Sequence, residues 1–210
     1  MIEKIKGLNN NIFGTIGSCW HQWEGNSLRE ISMSLLTARC ANNNELMELL
    51  GRWRKENEFW FAATFPVSLE GTRKWFIEQV INQSRLLFLI TSNGKPIGHV
   101  GLFRFNFETG FCEIDNIVRG EPDVKGLMET AIKEMMQWGR NNLDIKQYGL
   151  QTASDNERAL RLYERLGFIE TKREPMILVE KGNRKEWQPT TETDNIKRYT
   201  VFMELKNEKN

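Results

Sequence analysis

The stretch from Phe111 to Phe168 carries three groups in order: paired carboxylates on a strand, a glycine-led helix start, and an asparagine-led helix holding a tyrosine. In CEIDNIV, strand alternation puts Glu113 and Asp115 on one face. Two carboxylates there can share a task or raise one another's pKa, as a general base acting through water requires. The strand ends at Arg119-Gly120, and Lys125-Gly126 then opens a long amphipathic helix. A helix N-terminus behind glycine presents unpaired N–H groups and the positive end of the dipole, which together favour phosphate. The third group is Asn156-Glu157-Arg158-Ala159-Leu160-Arg161-Leu162-Tyr163-Glu164-Arg165-Leu166-Gly167-Phe168.

Each group also has a plain structural reading. Glu113 and Asp115 fit the solvated face of a strand, Gly126 a turn glycine, and Tyr163 a core aromatic beside Ala159 and Leu166. His99 reads as a satisfied strand histidine. Cys112 reads as a small buried thiol, because no His or Asn is placed to activate it.

These groups need elements to hold them. ISMSLLTA (31–38) reads as a first strand, followed by a helix that Asn44 can cap and a second that Ser68 can cap. Asn93-Gly94 between RLLFLITS and PIGHVGLFRF is a strong hairpin signal, since both central residues of a type I′ turn need positive φ. A second turn at Glu108-Thr109-Gly110 leads into FCEIDNIV. Val124, Leu127, Met128, Ala131, Ile132, Met135 and Met136 then form an unbroken helical stripe. YGLQTA is a short strand. In the helix after it, Ser154 and Glu157 have capping-box spacing and Gly167 suits the C′ position. FIETKRE and KRYTVFMEL read as strands around an irregular polar stretch. The economical solution is an α/β (α+β) domain with a mixed sheet flanked by helices. Residues 1–30, with Trp20 and Trp23, read as a loosely structured extension to a domain spanning 31–207.

Lys and Arg number 29 against 28 Asp and Glu, which leaves no electrostatic footprint for nucleic acid or an anionic membrane. No apolar run approaches the ~20 residues of a membrane span, and the N-terminus lacks a signal-peptide core. Cys19, Cys40 and Cys112 are widely spaced, and with only His21 and His99 beside them no metal site is expected. A cytoplasmic compartment follows. KRYTVFMEL is a strand that could pair between the subunits of a homodimer.

The segment N-E-R-A-L-R-L-Y-E-R-L-G-F resembles the N-x-x-A-x-x-x-Y-E-x-x-G-F signature of the GNAT superfamily of acyl-CoA-dependent N-acetyltransferases, and PIGHVGL resembles the family's central strand. The resemblance implies a mainly antiparallel sheet and acetyl-CoA as acyl donor. It implies that the backbone around Ile117 and Val118 binds the pantetheine arm and that the turn Val124-Lys125-Gly126-Leu127-Met128 cradles the pyrophosphate, with Asn156 contacting the cofactor. Tyr163 would protonate the departing thiolate; a phenol of pKa about 10 holds its proton at neutral pH yet can donate it. Glu113, in a context similar to the ribosomal-protein acetyltransferase branch, would be the base, with Asp115 sharing the task. Two departures stand out. The phosphate turn is Asp123-Val124-Lys125-Gly126-Leu127-Met128, acidic at its first position and bulky at its last, with Arg119 and Lys125 able to compensate by charge. Gln151 stands where another branch carries its base. The implied reaction is acetylation of a primary amine on a small molecule such as a nucleotide-linked amino sugar. A protein N-terminal amine and a non-catalytic binding module are the alternatives.

Overall fold

The computed structural model of the chain describes residues 2–10, 17–24, 27–64, 66–122, 125–182, 184–191, 194 and 196–206. In chain order the first elements are α1 (Ile2–Asn9), β1 (Gly17–Glu24), β2 (Ser27–Leu35), α2 (Asn44–Glu56), β3 (Ala63–Thr64) and α3 (Leu69–Trp75), the last running on into π-helical turns over Phe76–Ile81. There follow β4 (Leu86–Ser92), β5 (Lys95–Asn106), β6 (Phe111–Arg119), α4 (Leu127–Leu143), β7 (Gln147–Ala153) and α5 (Glu157–Arg165). The last three are β8 (Phe168–Lys181), β9 (Arg184–Pro189) and β10 (Arg198–Leu205).

The strands form one ten-stranded sheet in the order β1-β2-β4-β5-β6-β7-β10-β8-β9-β3. The β6–β7 pair is parallel, and the other pairs with a stated direction are antiparallel. A mixed, mainly antiparallel sheet flanked by helices is therefore the architecture, as expected. Asn93 (φ +48°) and Gly94 (φ +77°) make the β4–β5 turn. The stripe from Leu127 to Met136 buries α4 against Val100, Leu102, Ile114 and Leu150 on one face, and Tyr163 of α5 joins that core. On the other face α2 and α3 pack Leu50, Trp53, Phe76 and Val80 against Leu87 and Val118. That second layer ends at β6, which leaves the same face of β7 and β10 open to a cavity.

Several local expectations need correction. The first strand begins at Ser27, not 31, so the boundary drawn at residue 30 falls inside β2. Helix α1 buries Ile5, and β1 pairs along β2 from Gly17↔Ser34 to Glu24↔Ser27. Trp20 packs on the core; the side chain of Trp23 lies outside the described residues, as do Asp123 and Val124. Asn43, rather than Asn44, caps α2 by accepting from Leu46 N at 3.0 Å. Ser68 caps α3 as expected. At α5 the cap is Asn156, while Ser154 Oγ instead accepts from Tyr199 N at 2.9 Å. The polar stretch expected to be irregular is the β8–β9 hairpin. β10 sits between β7 and β8 with both edges bonded, so it is not free to pair between subunits.

Candidate active site

The site grows out of an interruption in the sheet. β6 and β7 pair only from Phe111↔Gln147 to Ile114↔Leu150. Beyond that, residues 115–119 of β6 stay with β5 while residues 151–153 of β7 stay with β10, and a wedge opens between them. A β-bulge marks where they part. His99 faces Val118 and Gly101 faces Asp115, so Val100 alone opposes Asn116 and Ile117, and Asn116 takes φ +48°. A bulge bends its strand and sharpens the local twist. Glycine lets the strands close on it: a Cβ at Gly98 would lie 2.4 Å from the Val118 carbonyl oxygen.

His99 holds the bulge from beneath. Its Nδ1 lies 2.7 Å from the Asn116 carbonyl oxygen, which can only accept, so Nδ1 carries the proton. Burial outweighs that hydrogen bond and pushes the imidazole pKa down to about 4, with Arg54 adding to the shift, so the ring is neutral at pH 7. His99 is the satisfied strand histidine expected.

The wedge widens into a cavity of about 350 Å³. Of the expected site residues, Glu113, Asp115, Ile117, Val118, Arg119, Met128, Asn156 and Tyr163 line it. Lys125, Gly126 and Leu127 do not, although they adjoin Met128 at the start of α4. Gly126 occupies the N-cap position with φ +85° and, among the described residues, no side chain caps the first N–H groups of α4. Asn156 spends its Oδ1 on Ala159 N at 3.2 Å; its Nδ2 has no partner among the described residues. Arg158, two residues on, lines the cavity and has no partner among the described residues either.

Tyr163 is buried, meets Phe168 edge-on and reaches the cavity wall. Burial raises its pKa above the ordinary phenol value, so it remains a proton-bearing donor at neutral pH. Its hydroxyl has no hydrogen-bond partner among the described residues.

Glu113 and Asp115 both face the cavity, but they are held differently. Glu113 accepts from Arg104 Nη1 at 2.9 Å and from Gln151 Nε2 at 3.0 Å. Arg104 reaches it because β5 bulges there, with Arg104 at φ +50°. Asp115 is locked by Arg85 Nε at 2.7 Å and by Asn116 Nδ2 at 3.1 Å, while its Oδ1 is buried without a partner. Burial raises the Asp115 pKa and Arg85 opposes the rise. The exposed, solvent-reachable guanidinium is Arg104, whereas Arg85 is buried under Asp115.

The far wall is built from residues outside the expected catalytic and cofactor-binding set. Trp60 and Phe61 follow α2, Trp187 comes from β9, and Arg198 and Tyr199 from β10. Arg198 ties them together. Its guanidinium lies between the rings of Phe59 (4.6 Å) and Trp187 (4.5 Å) and donates to Asp155 Oδ2 at 2.6 Å and to the Phe59 carbonyl at 3.3 Å. Trp187 N also donates to the Ala62 carbonyl, and β3 pairs with β9 through Ala63↔Glu186 and Thr64↔Lys185. The hairpin thus curls over and fastens to the segment after α2. Among the described residues no cluster of His, Cys, Asp and Glu is arranged to hold a metal, and no helix is long and apolar enough to cross a membrane.

Among curated proteins the chain is similar to the spermidine N(1)-acetyltransferase of Escherichia coli K12, 27% identical over 110 residues that span 52% of this chain and 59% of that protein. It is also similar to the acetyltransferase PseH of Campylobacter jejuni, 24% identical over 127 residues that span 60% of this chain and 78% of that protein. The match to the E. coli enzyme thus covers less than two thirds of that enzyme's length. In fold it is similar to RimL, a ribosomal L7/L12 alpha-N-protein acetyltransferase solved with coenzyme A, at TM-score 0.60, 12% identity and coverage of 83% of this chain and 92% of that one. The Vibrio cholerae spermidine N-acetyltransferase solved with CoA and spermine aligns at TM-score 0.55, 19% identity and coverage of 83% and 94%. Residues 36–169, well over half of the sequence, match the acetyltransferase (GNAT) domain, and the chain belongs to the GNAT acetyltransferase family.

Proposed function

We propose that the protein transfers an acetyl group from acetyl-CoA to a primary amine on a small molecule. The observation that carries this reading is the wedge itself: an unpaired strand edge, a buried phenol and a paired carboxylate border one cavity. The free edge of Ile117 and Val118 offers backbone groups to the pantetheine amides, and Arg119 and Arg158 offer charge to the phosphates beside the uncapped start of α4. The residues present therefore fit the donor.

An amine of ordinary pKa is protonated at pH 7 and is no nucleophile until it loses a proton. Glu113 takes that proton, directly or through water. The amine nitrogen then forms the C–N bond, the C–S bond breaks, and the Tyr163 phenol supplies a proton to the leaving sulfur. Holding both reactants across the wedge contributes orientation. Asp115, tied to Arg85, positions the strand that carries Glu113. A nucleotide-linked amino sugar is the acceptor we favour within this class.

The test is calorimetric titration of acetyl-CoA into the wild-type protein and Arg158→Ala, followed by thiol release with an amine panel. Micromolar binding weakened by Arg158→Ala, with turnover lost in Tyr163→Phe, is the expected result. No binding at millimolar acetyl-CoA would leave a GNAT fold acting as an interaction module. Turnover confined to N-terminal peptides would move the acceptor to a protein amine.

A further inference from the structure

The charges around the acceptor half of the cavity bear on what the amine is attached to. Among the described residues lining the cavity, Glu113 and Asp115 are the two carboxylates. Each already faces a guanidinium, Arg104 at 2.9 Å and Arg85 at 2.7 Å. The other charged groups of the lining add no acid: Arg119 and Arg158 lie toward the donor side, and Arg198 is itself paired with Asp155. A ligand with several ammonium groups needs a carboxylate for each of them, since an unpaired charge taken out of water is costly. This cavity offers such a ligand no uncompensated acid.

The aromatic wall does not supply the missing attraction. A ring face draws a cation through its negative quadrupole. Here Arg54 already lies over Phe61 at 4.4 Å and Arg198 over Trp187 at 4.5 Å. Both rings are therefore already in contact with a cation, which discourages a second one, while the two rings still line the cavity and offer flat, apolar area for stacking. Trp60 is 44% exposed beside them, so this area is open to a ligand.

We infer that the acceptor is a single amine on a flat body that is uncharged or anionic, and that a polyamine is not the substrate, although spermidine acetyltransferases are among the relatives. The inference rests on the acetyl-transfer reading for the identity of the site, but its test does not use the reaction.

The full-length protein is titrated calorimetrically with phenethylamine and with spermidine, without acetyl-CoA and at physiological ionic strength. Phenethylamine is expected to bind at least about tenfold more tightly, a gap that Trp187→Ala narrows. Arg104→Gln, which exposes the Glu113 carboxylate without touching the core, is expected to raise spermidine affinity by about tenfold. Spermidine binding as tightly as phenethylamine to the wild-type protein overturns the inference. So does failure of both amines to bind, or an Arg104→Gln protein whose spermidine affinity is unchanged. If the selectivity holds while acetyl-CoA does not bind, the acetyl-transfer reading fails and the inference about the cavity stands.

Discussion

Under the proposed function, the donor half of the cavity comes from residues 115–119, the start of α4 and α5, all inside the GNAT match. The acceptor half draws on 57–62 after α2 and on Met176, Trp187 and 198–200, most of it beyond residue 169 where that match ends. Construction differs as well. The donor half relies on backbone: a bulge at Asn116, a strand edge left unpaired, an uncapped helix start. The acceptor half relies on side chains stacked around one arginine. Backbone geometry tolerates many sequences, while a side-chain wall changes with each substitution. The comparison explains how one family can keep a donor and vary its acceptor.

Four experiments would break or sharpen that contrast. Tyr163→Phe sits where the halves meet, and should lower kcat by roughly 10²- to 10³-fold for every amine while leaving acetyl-CoA affinity within about twofold. An unchanged kcat in steady-state assays would return Tyr163 to the core-aromatic reading. His99 tests the support under the donor edge. Its imidazole titrates near 6.5 in the unfolded chain and near 4 in the fold, so between these values the unfolded state binds more protons. Stability is therefore lost as pH falls through that window, by about 3 kcal/mol in all. Urea midpoints at pH 7 and 4.5 should show the loss, and His99→Gln should flatten it.

Arg198→Met should separate the halves. It leaves Asp155 unpaired and loosens Phe59 and Trp187, so the acceptor KM should rise roughly tenfold with little change in acetyl-CoA binding. A matching loss of acetyl-CoA affinity would show that the two halves do not act independently. Arg158→Ala should give the mirror result at the smallest scale, weakening acetyl-CoA by severalfold to about tenfold with the amine KM unmoved. The effect should shrink at high salt, because the residue is exposed.

What could be read from the sequence follows the same division. The Asn156–Phe168 motif, the Asn93-Gly94 turn and the α4 stripe are signals carried by neighbouring residues, and each leads to the element observed. The caps were misplaced by one or two positions at α2 and α5, because runs such as Asn42-Asn43-Asn44 and Ser154-Asp155-Asn156 offer several capping side chains and only tertiary context selects one. The pairing of Glu113 with Arg104 was hidden because it depends on a bulge that turns Arg104 onto the face of Phe103. β9 and the outer half of β8 were missed because residues 175–189 lack a clear alternation of apolar and polar residues. Trp187 and Arg198 became visible as a wall only once that hairpin was folded over residues 57–62.

The β3–β9 contact also bears on folding order. Ala63 meets Glu186 across most of the chain, while β6, α4, β7 and α5 follow one another without interruption. Closing a long loop costs entropy before its contacts repay it, so non-local pairings form late. The donor side can condense around α4 early in folding, and the acceptor chamber takes shape only when the last strands arrive. A nascent chain released before β9 would hold the Asn156–Phe168 motif without the wall that, in the proposed function, chooses the acceptor.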